Sequence, residues 1–203
     1  MKYWPKKAHI VILGPVQCGK TCLYNFLQNE KLPEGDNSQT IGQETIDEFK
    51  YRDKETGYGF IVRKTSDMSG DVRYVAKYYK QLIEKNNIII FMFAADEFYE
   101  KNDYSTDVVD RIAVIAEYWA YCKKDKKENS FRIIPTMKDK AENKGLDNKR
   151  VHQLLVEKLE ADNSAQKFAS TDYVTSMYQT NEEHSLLELV REIMKLIYEP
   201  CKE

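Results

Sequence analysis

The stretch Gly14-Pro15-Val16-Gln17-Cys18-Gly19-Lys20-Thr21 reads G-x-x-x-x-G-K-T, the pattern of a phosphate-binding loop. An apolar run of strand length, residues 8–13, precedes it, and residues 21–27 follow it with apolar side chains at helical spacing. The glycines permit backbone angles that turn the loop N–H groups toward an anion at the helix N-terminus. Lys20 is placed to reach the β- and γ-phosphates, and the Thr21 hydroxyl to ligate Mg²⁺. The segment therefore predicts a nucleoside triphosphate site, against the alternative of a chance match in a glycine-containing turn. The residues predicted to contact the nucleotide here are Gly14, Val16, Gln17, Cys18, Gly19, Lys20, Thr21 and Cys22.

The composition is that of a soluble globular protein. The chain has 203 residues, 42% hydrophobic and 32% charged, which predicts a single domain over residues 1–203 with a sizeable core. A net charge of -2 gives no bulk attraction to nucleic acid or to acidic membranes. The four cysteines show no metal-ligand spacing, so free thiols in a reducing cytosol are expected. They are Cys18, Cys22, Cys122 and Cys201.

No membrane anchor is evident in the sequence. The first residues lack the apolar core of a signal peptide, and no apolar run is long enough to span a bilayer. Position 2 is lysine rather than the glycine of a myristoylation signal, and Cys201 lies one place short of a prenylation box. These features predict a cytoplasmic protein without a lipid anchor, and leave open a short amphipathic membrane contact through Tyr3 and Trp4.

The chain alternates strand-like and helix-like segments, which predicts an α/β fold. We expect a three-layer domain of the phosphate-loop type, with a mostly parallel six-stranded sheet that includes one antiparallel hairpin strand. Predicted strands are 8–13, 44–51, 58–66, 87–94, 131–135 and 172–175, and predicted helices are 21–27, 71–85, 105–123, 148–160 and 183–199. Residues 28–44 are predicted to form an irregular loop.

The order of these motifs resembles that of the small GTPases of the Ras superfamily, and within it the Arf-like branch. Gln39-Thr40-Ile41-Gly42 is similar to the family's first switch loop, and Asp67-Met68-Ser69-Gly70 to the D-x-x-G of its second switch. The resemblance implies that Thr40 ligates Mg²⁺ and senses the γ-phosphate, that Asp67 holds Mg²⁺ through water, and that the Gly70 N–H contacts the γ-phosphate. It implies GTP and GDP as ligands, with Mg²⁺ held by Thr21, Thr40 and Asp67.

The segment Thr136-Met137-Lys138-Asp139 resembles in part the family's guanine-reading N-K-x-D. By this resemblance Asp139 accepts hydrogen bonds from guanine N1–H and the exocyclic amine, a pattern that adenine does not offer. Met137 can cover the base but brings no charge, and Thr136 replaces asparagine. Thr175-Ser176-Met177 resembles the degenerate S-A-K element, whose backbone N–H contacts the guanine oxygen. A guanine preference with reduced affinity is implied, the alternative being that Asp139 only begins a turn.

Two departures from the family concern hydrolysis. Asp71 stands where efficient small GTPases carry a water-orienting glutamine. Val16 occupies a phosphate-loop position that is often glycine, where a branched side chain crowds the entry of water or an arginine finger. We therefore expect a GTPase that is slow without a partner. The residues expected to act at the γ-phosphate are Lys20, Thr40, Gly70 and Asp71.

Two other functions stay open at this point. One is a pseudo-GTPase that serves as an interaction module and binds nucleotide statically. The other, less favoured, is a phosphate-loop kinase, whose arginine-bearing lid has no counterpart because the arginines are dispersed. Histidines at positions 9, 152 and 184 are isolated and are expected to be structural.

A switch requires a partner surface. Tyr74 and Tyr78, with Arg73 and Lys77 beside them, follow the second switch motif, and aromatic residues with basic neighbours suit protein recognition. We expect effectors or regulators, such as an activating protein or an exchange factor, to bind there, unless these tyrosines merely cover the domain's own sheet.

Overall fold

A computed structural model describes residues 8–29, 45–54, 57–62, 65–66, 72–86, 88–122 and 130–198. The strands are β1 (His9–Leu13), β2 (Thr45–Ile46), β3 (Phe49–Arg52), β4 (Gly59–Val62), β5 (Thr65–Ser66), β6 (Ile88–Ala94) and β7 (Ser130–Thr136). The helices are α1 (Lys20–Asn29), α2 (Val72–Lys85), α3 (Ala95–Glu100), α4 (Asn102–Cys122), α5 (Lys138–Glu142), α6 (Asn148–Glu160) and α7 (Glu183–Tyr198). Two 3-10 turns lie at Ala165–Phe168 and Thr171–Tyr173.

Five strands form the central sheet in the order β3-β4-β1-β6-β7. All neighbouring pairs are parallel except β3 and β4, which form the antiparallel hairpin. The predicted α/β class and the mostly parallel sheet with one antiparallel strand are therefore confirmed. The short strands β2 and β5 pair with each other in a separate two-stranded sheet.

The sheet is apolar on both faces, because successive residues of a strand point to opposite sides. On β6, Ile89, Phe91 and Phe93 belong to a core cluster that also contains buried residues of α2, α4 and α6. Ile88, Ile90 and Met92 belong to the opposite cluster, with buried residues of α1 and α7. This three-layer arrangement leaves the carboxyl ends of the parallel strands as the edge at which loops can form a site.

The predicted sixth strand is reduced to two isolated bridges. Val174 bridges Ile133 and Tyr178 bridges Thr136, both in parallel orientation. Val174 and Tyr178 are four residues apart, whereas their partners on β7 are three apart, so one residue is extra and a continuous ladder cannot form. Within the part of the chain that the structure describes, the expectation of a six-stranded sheet is corrected to five paired strands flanked by this bulged segment.

The predicted hairpin strands are also shorter than expected. The segment 58–66 was predicted as one strand, but its pairing with β3 ends at Val62, and residues 65–66 pair with β2 instead. On the β1 side, the Tyr24 hydroxyl bonds to both the N–H and the C=O of Ile12, at 3.3 and 3.2 Å. Ile12 lies beyond His9 and Ile10, the two residues of β1 that pair with β4. The tyrosine hydroxyl therefore binds backbone groups of β1 at a point where the pairing with β4 has ended.

The long helices follow the predicted bounds within a few residues, and α6 has the predicted bounds. Two short helices, α3 and α5, were not predicted. Each directly follows a strand of the sheet and has five or six residues, too few to show the apolar periodicity from which helices are recognised.

Candidate nucleotide-binding site

The phosphate loop connects β1 to α1 and depends on two glycines. Gly14 has φ 146° and Gly19 φ 85°, angles that side chains rarely adopt. A Cβ at Gly14 would lie 2.1 Å from the carbonyl oxygen of Met92 on β6, and one at Gly19 would lie 2.5 Å from the hydroxyl oxygen of Thr180. Thr180 itself is buried. Close packing on both sides therefore requires glycine at the two positions and fixes the path of the loop.

The Lys20 side chain lies back over this loop. It is only 5% exposed, and its Nζ donates to the carbonyl oxygen of Gly14 at 3.0 Å and to that of Pro15. The Cys18 sulfur lies 3.6 Å from the same nitrogen. Because Lys20 is also the first residue of α1, its charge and the positive end of the helix dipole coincide. This arrangement suits a polyphosphate anion.

The other loop residues divide into buried and exposed positions. Cys18 is fully buried and its thiol donates to the carbonyl of Pro15 at 3.1 Å. Burial raises the pKa of the Cys22 thiol, which keeps it protonated and poorly nucleophilic. Gln17 has a left-handed backbone with φ 61° and is exposed. Val16 is 45% exposed, so the loop tip presents an apolar branched side chain to solvent.

Thr136, the last residue of β7, connects the phosphate loop to the sheet. It is completely buried, and its hydroxyl lies 2.9 Å from the carbonyl oxygens of both Cys18 and Phe93. One hydroxyl proton serves both acceptors, so the interaction is shared. The threonine that replaces asparagine thus ties together the phosphate loop, β6 and the start of the predicted base-reading segment.

The chain turns sharply after Thr136. Met137 adopts a left-handed conformation with φ 58°, uncommon for a residue with a side chain, and immediately precedes α5. Asp139 lies in the first turn of α5. Both residues are half-buried. The two residues predicted to cover and read a base are therefore adjacent to the end of β7 and to the loop tie of Thr136.

Helix α5 is held against α3 by charged groups. Lys144, just after α5, lies 2.7 Å from a carboxylate oxygen of Glu100 and 3.6 Å from Oδ2 of Asp96. Asp96 is 4% exposed, and its Oδ1 has no hydrogen-bond partner among the residues that the structure describes. These ion pairs restrain α5 relative to the carboxyl end of β6.

The segment 174–178 runs beside β7 and carries Ser176 and Met177. The Thr175 N–H donates to the carbonyl of Ile133 and the Tyr178 N–H to that of Pro135, both at 3.0 Å. Met177 is buried, with 3% of its surface exposed, whereas Ser176, which lies between Thr175 and Met177, is exposed. Of the two predicted contact residues, Ser176 therefore lies at the surface and Met177 in the core.

Sequence reasoning gave no role at the site to two residues of α6 that contact this segment: Asn148 was only the start of a predicted helix, and His152 was expected to be structural. Asn148 Oδ1 accepts a hydrogen bond from the Met177 N–H at 2.6 Å. The Nε2 of His152 lies 2.7 Å from the carbonyl oxygen of Thr175. The helix start at Asn148 was visible in the sequence, but no local pattern links it to a segment nearly thirty residues away.

Several predicted site residues fall outside the described part of the chain. They are Thr40, Asp67, Gly70 and Asp71, and the Tyr74 side chain is likewise not described. Thr21, half-buried in the first turn of α1, is the one predicted Mg²⁺ ligand that the described residues include. Within those residues no cluster of three or more His, Cys, Asp or Glu side chains could hold a metal ion. Tyr78 is partly buried and packs against the core cluster of α2, α4 and α6.

No helix in the described ranges is both long enough and apolar enough to cross a membrane.

The chain matches no protein-family model, and no curated protein matches it. Among solved structures, the mammalian SRP receptor matches at 14% identity with a TM-score of 0.66, over 93% of this chain and 99% of that chain. The small GTPase Arl6 BBS3 from Trypanosoma brucei, solved with the bound nucleotide analogue GppNp, matches at 13% identity with a TM-score of 0.64, over 97% of this chain and 100% of that chain. At such identities the likeness is one of fold. The protein therefore has the small GTPase fold, similar to that of an Arf-like member.

Proposed function

We propose that this protein binds a guanine nucleotide with Mg²⁺ at the carboxyl edge of its sheet and acts as a nucleotide-dependent switch. The observation that carries the proposal is the buried ammonium of Lys20, bonded to the carbonyls of Gly14 and Pro15 at the first turn of α1. A cation held over a glycine-constrained loop at a helix N-terminus is suited to the charge of a di- or triphosphate.

Base recognition is proposed at the corner after β7. An ionised carboxylate can only accept hydrogen bonds, so Asp139 pairs with the N1–H and the 2-amine of guanine, while adenine presents an acceptor at N1. Met137 supplies an apolar cover for the base. Because the Thr136 hydroxyl connects this corner to Cys18 of the phosphate loop, base and phosphates are bound by parts of one connected frame.

Mg²⁺ is proposed to be held by Thr21 together with Thr40 and Asp67, and when bound it neutralises charge on the phosphate oxygens. Lys20 and the Gly70 N–H are proposed to stabilise the γ-phosphate. Hydrolysis is proposed to be slow for two reasons. The Val16 side chain stands at the exposed loop tip, and Asp71 takes the place of a water-orienting glutamine.

The change Asp139→Asn tests the guanine reading directly. An amide at this position presents an N–H donor where the carboxylate presented an acceptor. That donor suits the 2-oxygen of xanthine but cannot accept a hydrogen bond from the 2-amine of guanine. We expect affinity for GDP to fall by roughly 100-fold, because a buried polar pair is mismatched, and affinity for xanthosine diphosphate to rise. Titration calorimetry with both nucleotides in Mg²⁺ measures the exchange of preference.

Glu142→Gln is the matched control for this experiment. It removes an exposed carboxylate from the same helix, one that pairs only loosely with Lys138 at 3.9 Å. This variant should keep the wild-type preference for GDP. An Asp139→Asn protein that also keeps that preference would show that Asp139 is only a turn residue.

A static interaction module is the second candidate function, and the exposed Val16 at the loop tip favours it over an efficient GTPase. Hydrogen exchange on protein loaded with GDP and with a non-hydrolysable GTP analogue separates the two. A switch should show different protection in α2 and in the β3–β4 hairpin in the two states. Equal protection in both states would identify the static module.

Partner binding is proposed at the surface of α2. Lys77 there is exposed, and Tyr78 is half-buried against the core, so a partner would meet the exposed edge of that ring rather than a free side chain. Effectors or regulators that sense the nucleotide are the class of partner proposed.

A further inference from the structure

The segment beside β7 contains a bulge at the edge where the base is proposed to bind. Its two anchoring bonds run from the Thr175 N–H to the Ile133 carbonyl and from the Tyr178 N–H to the Pro135 carbonyl. Between these bonds the segment advances three residues while β7 advances two, so one residue is accommodated outside the regular ladder. Bulges of this kind commonly re-aim the chain next to functional sites. Ser176, the exposed residue of the bulge, is the part that a ligand can reach.

Helix α6 contacts the bulge on both sides of Ser176. The carboxamide of Asn148 accepts the Met177 N–H at 2.6 Å. The imidazole of His152, one turn later on the helix, donates from Nε2 to the Thr175 carbonyl, 2.7 Å away; a carbonyl oxygen only accepts, so Nε2 carries the proton. The backbone on either side of Ser176 is therefore held by α6 in addition to the two bonds to β7.

The Asn148 side chain is not needed to cap its own helix. The Asp147 carboxylate already accepts the Arg150 N–H at 2.7 Å and serves as the N-cap of α6. An asparagine at the first helical position gains no comparable capping bond. Its carboxamide oxygen instead satisfies a backbone donor of Met177, whose side chain is buried in the same core cluster as Val151 of α6.

We propose that Asn148 and His152 are positioning residues that hold the Ser176 backbone N–H toward the 6-oxygen of a bound purine, and so contribute to base selection. This inference rests on the proposed guanine-nucleotide function. Neither residue needs to touch the nucleotide.

The test compares GDP with the diphosphate of 2-aminopurine riboside, which keeps the 2-amine but lacks both the 6-oxygen and the N1–H, so it loses the Ser176 contact and one of the two Asp139 contacts. Wild-type protein should bind GDP about 100-fold more tightly than the analogue, the size expected when two hydrogen bonds of about tenfold each are lost. Asn148→Ala should weaken GDP binding by about tenfold and change binding of the analogue less than about twofold. His152→Leu should act in the same direction.

Conservative variants separate positioning from general damage. Asn148→Asp keeps an acceptor for the Met177 N–H, and His152→Gln keeps a donor for the Thr175 carbonyl, so both should restore the preference for GDP. Gln153→Ala, which removes an exposed side chain bonded to Glu157 on the same helix, should leave both affinities unchanged. Two independent positions keep the test decisive if one variant does not fold.

The possible results distinguish a failure of the positioning role of Asn148 and His152 from a failure of the proposed nucleotide site. If wild-type protein prefers GDP but Asn148→Ala and His152→Leu leave that preference unchanged, or weaken both ligands equally, the positioning role is wrong while the guanine site stands. If wild-type protein binds neither ligand, the proposed nucleotide site fails and the inference fails with it.

Discussion

The central strands β1 and β6 have β4 and the β3–β4 hairpin on one side and β7 on the other. The two sides of the sheet are held together in different ways. Strands β6 and β7 pair over seven successive residues, from Ile88 with Ser130 to Ala94 with Thr136. Strands β1 and β4 pair at only two positions. At one end of that short pairing the Tyr24 hydroxyl binds both backbone groups of Ile12, and at the other the Tyr198 hydroxyl binds the N–H and C=O of Gly59. Backbone hydrogen bonds hold the β7 side together, whereas on the β4 side two tyrosine hydroxyls supplement a short backbone pairing.

The difference matters because the two sides have different proposed tasks. The β7 side carries the residues proposed to read the base, which should not move between nucleotide states. The β4 side precedes residues 67–70, which were predicted to form the second switch motif. A hairpin attached by two residue pairs and two hydroxyls can detach at a lower free energy than a seven-residue ladder.

The largest effect is expected from truncation on the β7 side. Phe131→Ala removes a buried ring that packs on Phe168 with centroids 4.3 Å apart. We expect the global free energy of unfolding to fall by about 3–5 kcal/mol, and denaturant unfolding measures it. A loss below about 1 kcal/mol would show that the β7 side is not the stable part of the molecule.

An intermediate effect is expected where the β7 side meets the phosphate loop. Thr136→Val preserves the shape but leaves the carbonyl oxygens of Cys18 and Phe93 without the shared hydroxyl. We expect a loss of about 1–3 kcal/mol in stability, together with weaker GDP binding because the loop is no longer tied. Denaturant unfolding and nucleotide titration give the two values. If stability falls but GDP affinity does not, Thr136 supports the sheet and not the loop.

The smallest effect is expected on the β4 side. Tyr198→Phe removes the hydroxyl from Gly59 but leaves the ring stacked on Tyr58, with centroids 4.3 Å apart. We expect about 0.5–1.5 kcal/mol of local destabilisation, seen as faster amide exchange in β3 and β4 with β6 and β7 unaffected. Tyr99→Phe, at a side chain that is 52% exposed, serves as the control. Exchange that accelerates equally in β6 and β7 would remove the distinction between the two sides.

The sequence predicted the parts of the fold that depend on local pattern. The phosphate loop, the doubly apolar β6 and the amphipathic α6 and α7 each carry their signal in consecutive residues. Along α7, Leu186, Val190 and Ile193 are all buried as their spacing predicted. For the candidate site, the same local reading selected the loop residues and the Thr136–Asp139 corner, which stay predictions as nucleotide contacts; the structure connects the two through the bond from Thr136 to Cys18.

What the sequence did not predict depends on contacts between distant residues. The last strand was lost because one extra residue in the 174–178 segment prevents a ladder with β7, and no local pattern reports that count. The predicted strand 58–66 was divided because its pairing with β3 ends at Val62, and residues 65–66 pair with β2 instead. The contacts of Asn148 and His152 were not predicted for the same reason, since their partners lie 29 and 23 residues away.

The central claim is that the carboxyl edge of this sheet is a guanine-nucleotide site. Equilibrium titration of the wild-type protein with GDP and with ADP, both in Mg²⁺, tests it most directly. Since a site built to hydrogen-bond the guanine edge leaves those groups unpaired with adenine, we predict GDP to bind at least about 100-fold more tightly. Equal affinity for the two nucleotides, or no binding of either, would contradict the claim.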